Sequence, residues 1–518
     1  MAKRRKGGGR AARHALRSAD NKDKKSPVQP GLTGGQYKPL KDEDVVRIHE
    51  AALEILETVG MGTPIPLIVE LAEARGATMN DKGRLCFPKK LMNELIDGAA
   101  KSITLYGRDP KFDLDVSKER VHFGTGGAAI SVLDFESGAY RNSNLADIYD
   151  FARLTDQLDN VHWFTRSVIA TELQDPYELD INTAYALIAG TKKHIGTAIT
   201  IPENVKPITE MFDIVAGGPG EFAKQPFCKL HTSPIVPPLR YGVDAQETIV
   251  EAMKYGWPIN AITAGQSGAT SPATLAGTLV QTHAETLAAM AFVNLIEPGY
   301  PFIFSNWPFV ADLRTGSMTG GSAEGGLLSA AAAQLANYID MPSGVAGGMP
   351  DSKTFDGQAG YERALPHVMI GLAGANLVYE SAGMLAALLS CSYEAFVIDN
   401  EIIASVMRAV RGIEVTDETM GVDVIARTVA GAGHYLGAEQ TISVMETEYL
   451  YPELGDRTSP SQWEEYGSID IWTRARAKVK QMMQQYPEYI TPEQDAEIRA
   501  KFELKLSPED VSSKSSRW

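Results

Sequence analysis

Cysteine is scarce: three in 518 residues, Cys86, Cys228 and Cys391, far apart and odd in number. That excludes a local disulfide framework or a CxxC redox pair and agrees with a reducing, cytoplasmic setting. Long apolar runs are missing too. Residues 275–296 come nearest, but His283, Glu285 and several Thr and Gln interrupt them, short of the ~20 apolar residues a membrane span requires. The Gly-rich run 318–326 lacks the lysine of a phosphate loop, and there is no HExxH, GxSxG or paired Cys–His zinc pattern. Net positive charge is absent as well. The chain carries −16 although its start is basic (Lys3, Arg4, Arg5, Lys6, Arg10, Arg13, Arg17), so the body is more acidic still, which disfavours nucleic acid as a partner. The basic start has no apolar h-region of a secretory signal.

What is present suits a large soluble, globular chain. Apolar residues make up 44% and charged residues 22%, enough to bury a sizeable core. Residues 1–37 read as a disordered basic tail. Residues 38–145 read as an N-terminal cap: amphipathic helices at 42–59, 64–75 and 88–99, then a β-rich stretch with a hairpin turn at 136–138. From residue 146 helix and strand alternate every ~30–40 residues, the βα signature of a parallel sheet. Strands are expected near 162–170, 194–199, 227–235, 259–264, 301–305, 344–346 and 376–380. An eighth, at 103–106 or 441–444, would complete a TIM (β/α)8 barrel over 146–415. A doubly wound open sheet is the other solution. Residues 416–518 read as a C-terminal helical extension packed on the barrel, with the last dozen residues frayed.

In a barrel, residues just past each strand line a shared mouth. That collects His231, Gln266, Asn306, Trp307, Phe309, Tyr379 and Glu380. It also collects the loop Val345 to Tyr361, whose glycines and Asp351, Ser352 and Asp356 precede a helix. Asp351, Glu380 and His231 are the candidate catalytic residues. Trp307, Phe309, Phe355, Tyr361 and Tyr379 suit an aromatic cage for an ammonium group that cannot donate a hydrogen bond; Gln266 and Asn306 are polar candidates beside it. For these aromatics the plain alternative is barrel core. Cys228 and His231 have metal-like spacing, with Cys391 as a conceivable third ligand. Residues three apart on a strand face opposite sides, however, so no metal is expected.

The runs Gly347-Gly-Met-Pro-Asp-Ser-Lys353, Asp356-Gly-Gln-Ala-Gly-Tyr-Glu362 and Gly431-Ala-Gly-His-Tyr-Leu-Gly437, with the basic start Arg4–Arg10, resemble the trimethylamine:corrinoid methyltransferase family over nearly the whole chain. The resemblance implies a TIM barrel passing a methyl group from a methylated amine to the Co(I) of a corrinoid (cobalamin) on a separate partner protein. Archaeal members carry pyrrolysine in the loop corresponding to 350–356, where this chain has only standard residues, Thr354 and Phe355 among them. Members without pyrrolysine resemble glycine betaine or other quaternary-amine methyltransferases, and that branch is the expectation here, with His231, Gln266 or Asn306 as the residues to bind a betaine carboxylate. The alternatives are a trimethylamine enzyme proper, a non-catalytic quaternary-amine or corrinoid binding protein, and a zinc barrel using Cys228 and His231. Self-association into a homo-oligomer is expected.

Overall fold

The computed structural model describes residues 26–518. Eight strands run parallel: β1 (Arg120–Phe123), β2 (Trp163–Thr165), β3 (His194–Thr197), β4 (Cys228–Thr232), β5 (Ile259–Thr263), β6 (Phe302–Asn306), β7 (Ser343–Ala346) and β8 (Leu377–Tyr379). A helix follows each in turn: α1 (Leu145–Asp156), α2 (Pro176–Gly190), α3 (Val205–Ala216), α4 (Val243–Lys254), α5 (Leu275–Ile296), α6 (Ala323–Tyr338), α7 (Gly357–Ala373) and α8 (Tyr393–Arg411). The strands pair in the order β2-β3-β4-β5-β6-β7-β8-β1, and Leu32–Thr33 adds a ninth, antiparallel to β1. The sheet curls until its ends meet. Gly124, just past β1, forms a parallel bridge with Trp163, and His162 N–H donates to the Phe123 carbonyl at 2.7 Å. This α/β architecture fits a TIM-like fold.

The strands are short and buried on both faces, as parallel strands under helices must be. Helix starts are locally specified. Asn144 and Asp147 form a capping box on α1, and the Asp356 side chain accepts from Ala359 N–H at 3.0 Å to start α7. α5 is apolar around most of its circumference because the N-terminal helix Asp42–Thr58 covers the side that the sheet does not. A hairpin, Ser102–Leu105 with Leu114–Ser117, inserts Ile103, Leu105, Leu114 and Val116 among Trp163, Ile303 and Leu377. It enters from the N-terminal ends of the strands, where His194 Nδ1 bonds the Tyr106 carbonyl at 2.8 Å. One end of the sheet is thereby closed and the other left for chemistry.

Three expectations change. Residues 120–123 supply the eighth strand, ahead of residue 146, while 103–106 lies in the hairpin and 439–444 is helical. Glycines 124, 126 and 127 masked it: a strand this short has too few residues to show its periodicity. The expected tail is structured at Leu32–Thr33, which pairs with Val121 and Arg120; residues 1–25 lie outside the described residues. The last dozen residues are anchored, because Arg517 and the Trp518 indole both donate to Asp150.

Candidate active site

Alternation along β4 sets the geometry. Cys228 joins the hydrophobic layer between sheet and helices, whereas Lys229 and His231 face the interior of the curl. The thiol and imidazole therefore lie on opposite sides of the strand, and burial pushes the Cys228 thiol up. Among the described residues no group of three or more His, Cys, Asp or Glu is placed to hold a metal ion.

Three aromatics converge on the interior: Trp163 from the start of β2, Trp307 from just past β6 and Tyr379 from the end of β8. The Tyr379 ring lies 5.1 Å from Trp163, 5.2 Å from Trp307 and 5.4 Å from His231, centroid to centroid. Phe309 flanks Trp307 at 6.3 Å, and Gln266 pairs with Phe309 in a small sheet at the rim. His231 is oriented by a chain of bonds: the Ser305 hydroxyl donates to Asn260 Oδ1 at 2.5 Å, and Asn260 Nδ2 donates to His231 Nδ1 at 2.9 Å. That chain assigns the ring proton to Nε2, which leaves a donor. Burial holds the imidazole neutral, its pKa well below the usual range.

Around this cluster, buried polar atoms without partners accumulate. Trp307 Nε1, the Tyr379 hydroxyl, both amide atoms of Asn306, Lys229 Nζ, Thr165 Oγ1, Ser167 Oγ and both carboxyl oxygens of Glu380 have no hydrogen-bond partner among the described residues. An unpaired buried polar atom costs about 1–3 kcal/mol, so so many in one place mark a site that a ligand or water completes. Glu380 is held at φ 60°, in the left-handed region that non-glycine residues avoid. Its carboxyl lies over Gly126 and Gly127, where an added Cβ would come within 2.9 Å of an oxygen in either case. Desolvation raises its pKa to about 8.

The other expected site residues lie apart from this cluster. The Asp351 carboxylate accepts from Gly320 N–H at 3.1 Å and Gly321 N–H at 3.3 Å, tying the loop after β7 to the one before α6. Phe355 stacks on Trp472 of the C-terminal extension at 6.4 Å, with the Arg363 guanidinium over its ring. Tyr361, in the first turn of α7, is 61% exposed. Sequence reasoning missed Trp163 and Lys229. Lys229 did leave a signal, a lysine two residues before a histidine in an otherwise apolar strand, and that i, i+2 spacing puts both on one face. The Trp163 signal was weaker, a lone tryptophan early in a short strand.

Residues 5–505 match the family described as Trimethylamine methyltransferase (MTTB). The trimethylamine methyltransferase MttB of Desulfitobacterium hafniense (strain DSM 10664 / DCB-2) is 32% identical over 476 residues, 91% of this chain and 95% of the relative. A glycine betaine methyltransferase of D. hafniense (strain Y51) is 28% identical over 471 residues, 90% of this chain and 96% of that protein. The crystal structure of the Methanosarcina barkeri monomethylamine methyltransferase (MtmB) superposes at a TM-score of 0.46 and 14% identity, over 87% of this chain and 95% of that one.

Proposed function

Since this chain belongs to the trimethylamine methyltransferase family, we propose that it moves a methyl group from a quaternary amine such as glycine betaine to the Co(I) of a separate corrinoid protein. The site would be the mouth of a closed (β/α)8 barrel. The observation that carries this reading is the Trp163, Trp307 and Tyr379 cluster, ringed by buried polar atoms without partners.

The chemistry asks little covalent help of the protein. In an in-line displacement the methyl–nitrogen bond breaks, its electron pair stays on nitrogen, and a neutral tertiary amine leaves. The methyl acceptor, a co-substrate on the partner, supplies the electron pair of the new bond. A quaternary ammonium is already a cation, so it needs no adduct before departure, which agrees with a 350–356 loop made only of standard residues. This chain's share is orientation and electrostatics. The faces of Trp307 and Tyr379 hold the ammonium. Glu380 lies beside Tyr379, and its carboxyl ionises more readily once a cation arrives. The His231 Nε2–H and the Asn306 amide are further polar contacts for the carboxylate of a betaine, since a quaternary ammonium accepts no hydrogen bond, and Phe309 and Gln266 stand at the rim. Asp351 positions the loop after β7 through its two glycine amides.

A substrate panel tests the reading. Purified protein, Co(I) cobalamin free or on a corrinoid protein, and one amine at a time are followed by the cobalamin visible spectrum. Glycine betaine, proline betaine, carnitine, choline and trimethylamine are compared. Transfer from a quaternary amine alone is the expected result. Transfer from trimethylamine would favour the activity for which the 32%-identical D. hafniense relative is named. Binding without transfer would identify a binding protein.

A further inference from the structure

We infer that Lys229, deep in the curl of the sheet, anchors a carboxylate, so that the site takes a zwitterionic betaine with its ammonium toward the mouth and its carboxylate inward. The inference rests on the quaternary-amine reading and narrows it to donors that carry an acid group.

Lys229 is fully buried and its Nζ has no hydrogen-bond partner or ion pair among the described residues. It lies 5.4 Å from the Trp163 ring and 5.5 Å from the Tyr379 ring, so it faces the same aromatics that line the site. Thr165 Oγ1, also buried and without a partner, converges on the same place. A Cβ added to Gly196 of β3 would lie 2.6 Å from that hydroxyl and 3.2 Å from Lys229 Nζ. Thr165 Oγ1 and Lys229 Nζ thus both pack against the Gly196 backbone and lie close to one another, and an ammonium beside a hydroxyl is the donor set a carboxylate accepts. A fully buried lysine with two aromatic rings but no acid opposite it is costly to a folded protein and persists where a ligand supplies the missing charge.

The second orphan charge completes the argument. Glu380 lies one residue past Tyr379, against Gly126 and Gly127, and it makes no ion pair with Lys229. An unpaired acid just past the end of β8 and an unpaired base within β4 carry the two charges that a zwitterion would match. Orientation follows from the reaction. The methyl group must face the opening where the acceptor arrives, which turns the rest of the molecule inward. Trimethylamine has no group to set against Lys229, and choline carries only a neutral hydroxyl, with no charge to match it.

The test compares glycine betaine with tetramethylammonium, which has the cation and no carboxylate. Lys229→Met is expected to lower the ratio of kcat/KM for glycine betaine over tetramethylammonium by about 30- to 100-fold, the worth of a charge-assisted contact. A ratio within about threefold of the wild type overturns the anchor. Wild-type protein provides a second measurement, independent of how the variant folds. Burial lowers the Lys229 pKa to about 7, so a bound carboxylate makes the amine take up a proton at pH 8. The titratable and charged groups facing Lys229 are Cys228, His194, His231 and Tyr379, with Arg166 beyond His231 and Glu380 beyond Tyr379. Both ligands present the same cation to Glu380. The difference between them in protons taken up, read by calorimetry in two buffers of different ionisation enthalpy, is therefore expected to approach one. A difference of zero overturns the anchor. Methyl transfer from neither compound to a competent corrinoid protein overturns the quaternary-amine reading and the anchor with it. Transfer from both, with an unaltered ratio in Lys229→Met, overturns the anchor alone.

Discussion

Glu380 concentrates the tension of this site in one residue. It combines a left-handed backbone, a buried carboxyl without partners and a pKa raised to about 8. An unfolded glutamate titrates near about 4.3. Between about 4.3 and 8 the folded state therefore holds a proton that the unfolded state has released, and stability falls as pH rises through that window. Glu285 and Asp399, both raised to about 7, act in the same direction, whereas Lys229, depressed to about 7, adds stability as pH rises from about 7 toward 10. Glu380→Gln isolates one contribution. Its urea stability relative to the wild type is expected to improve from pH 5 to pH 9 by more than ~1 kcal/mol, because each tenfold change in a proton-binding constant is worth about 1.4 kcal/mol. A gap constant with pH would mean that Glu380 is paired. For the aromatics, Trp307→Ala and Tyr379→Ala are each expected to raise KM for the quaternary amine about tenfold or more, since a desolvated cation–π contact is worth about 2 kcal/mol. Unchanged KM in both would remove the cage.

At the scale of elements, the C-terminal extension is fastened to the TIM-like sheet at specific points. Asp150 on α1 accepts from Arg153 Nε at 2.8 Å, from Arg517 at 3.1 Å and from the Trp518 indole at 2.9 Å. Arg153 Nη1, itself buried, donates to the carbonyls of Met483 and Gln485 just past the helix Ile471–Met482. Asp150→Ala leaves the Arg153 guanidinium without its counter-charge and is expected to cost about 3–5 kcal/mol, read as a lower urea midpoint. A loss under ~1 kcal/mol would mean that solvent compensates the arginine there. Phe355 belongs to this fastening as well, through its stack on Trp472. Phe355→Ala is therefore expected to lower Tm while leaving KM for the amine as in the wild type, unlike Trp307→Ala. A large rise in KM would return Phe355 to the amine site. Helices α7 and α8 have their own brace. The ion pair between Arg363 and Asp399 is fully buried at 2.5 Å, and Asp399 also accepts from Gly383 N–H at 2.7 Å.

For the whole molecule, what matters is how closely the interior side chains pack against its glycines. Glycines face inward on three strands or strand ends: Gly124, Gly196 and Gly344. A Cβ at Gly124 would lie 2.2 Å from the Trp163 ring, and one at Gly344 would lie 2.2 Å from Ser305 Oγ. Larger residues there would fill or split the interior where Lys229, His231 and the aromatics converge. Gly124→Ala is expected to displace Trp163, raise KM for the amine and alter the near-UV dichroism while far-UV dichroism keeps the helix content. Wild-type near-UV spectra and kinetics in that variant would show that the interior tolerates the methyl group.

Several of these features were local and therefore legible in the chain itself. Alternating amphipathic and apolar segments marked seven strands and the helices between them, because periodicity needs only neighbouring residues. The turn at 136–138, the Asp356 cap and the loop motifs at 347–362 and 431–437 were legible for the same reason. His231, Trp307, Tyr379 and Glu380 were collected because a strand end in a parallel sheet has one place to point. Tertiary structure alone decided the rest. Strand β1 joined the sheet through pairing with β8 and a bridge to β2, partners more than 250 residues and about 40 residues away in sequence. Phe355 left the mouth because a distant helix offered it Trp472, and Tyr361 turned toward solvent. Lys229 came to face Trp163, Thr165 and Tyr379 only when the sheet curled. The sequence carries the chemistry of each side chain, but whether a buried charge meets a partner or remains for a ligand depends on contacts between strands far apart in the chain.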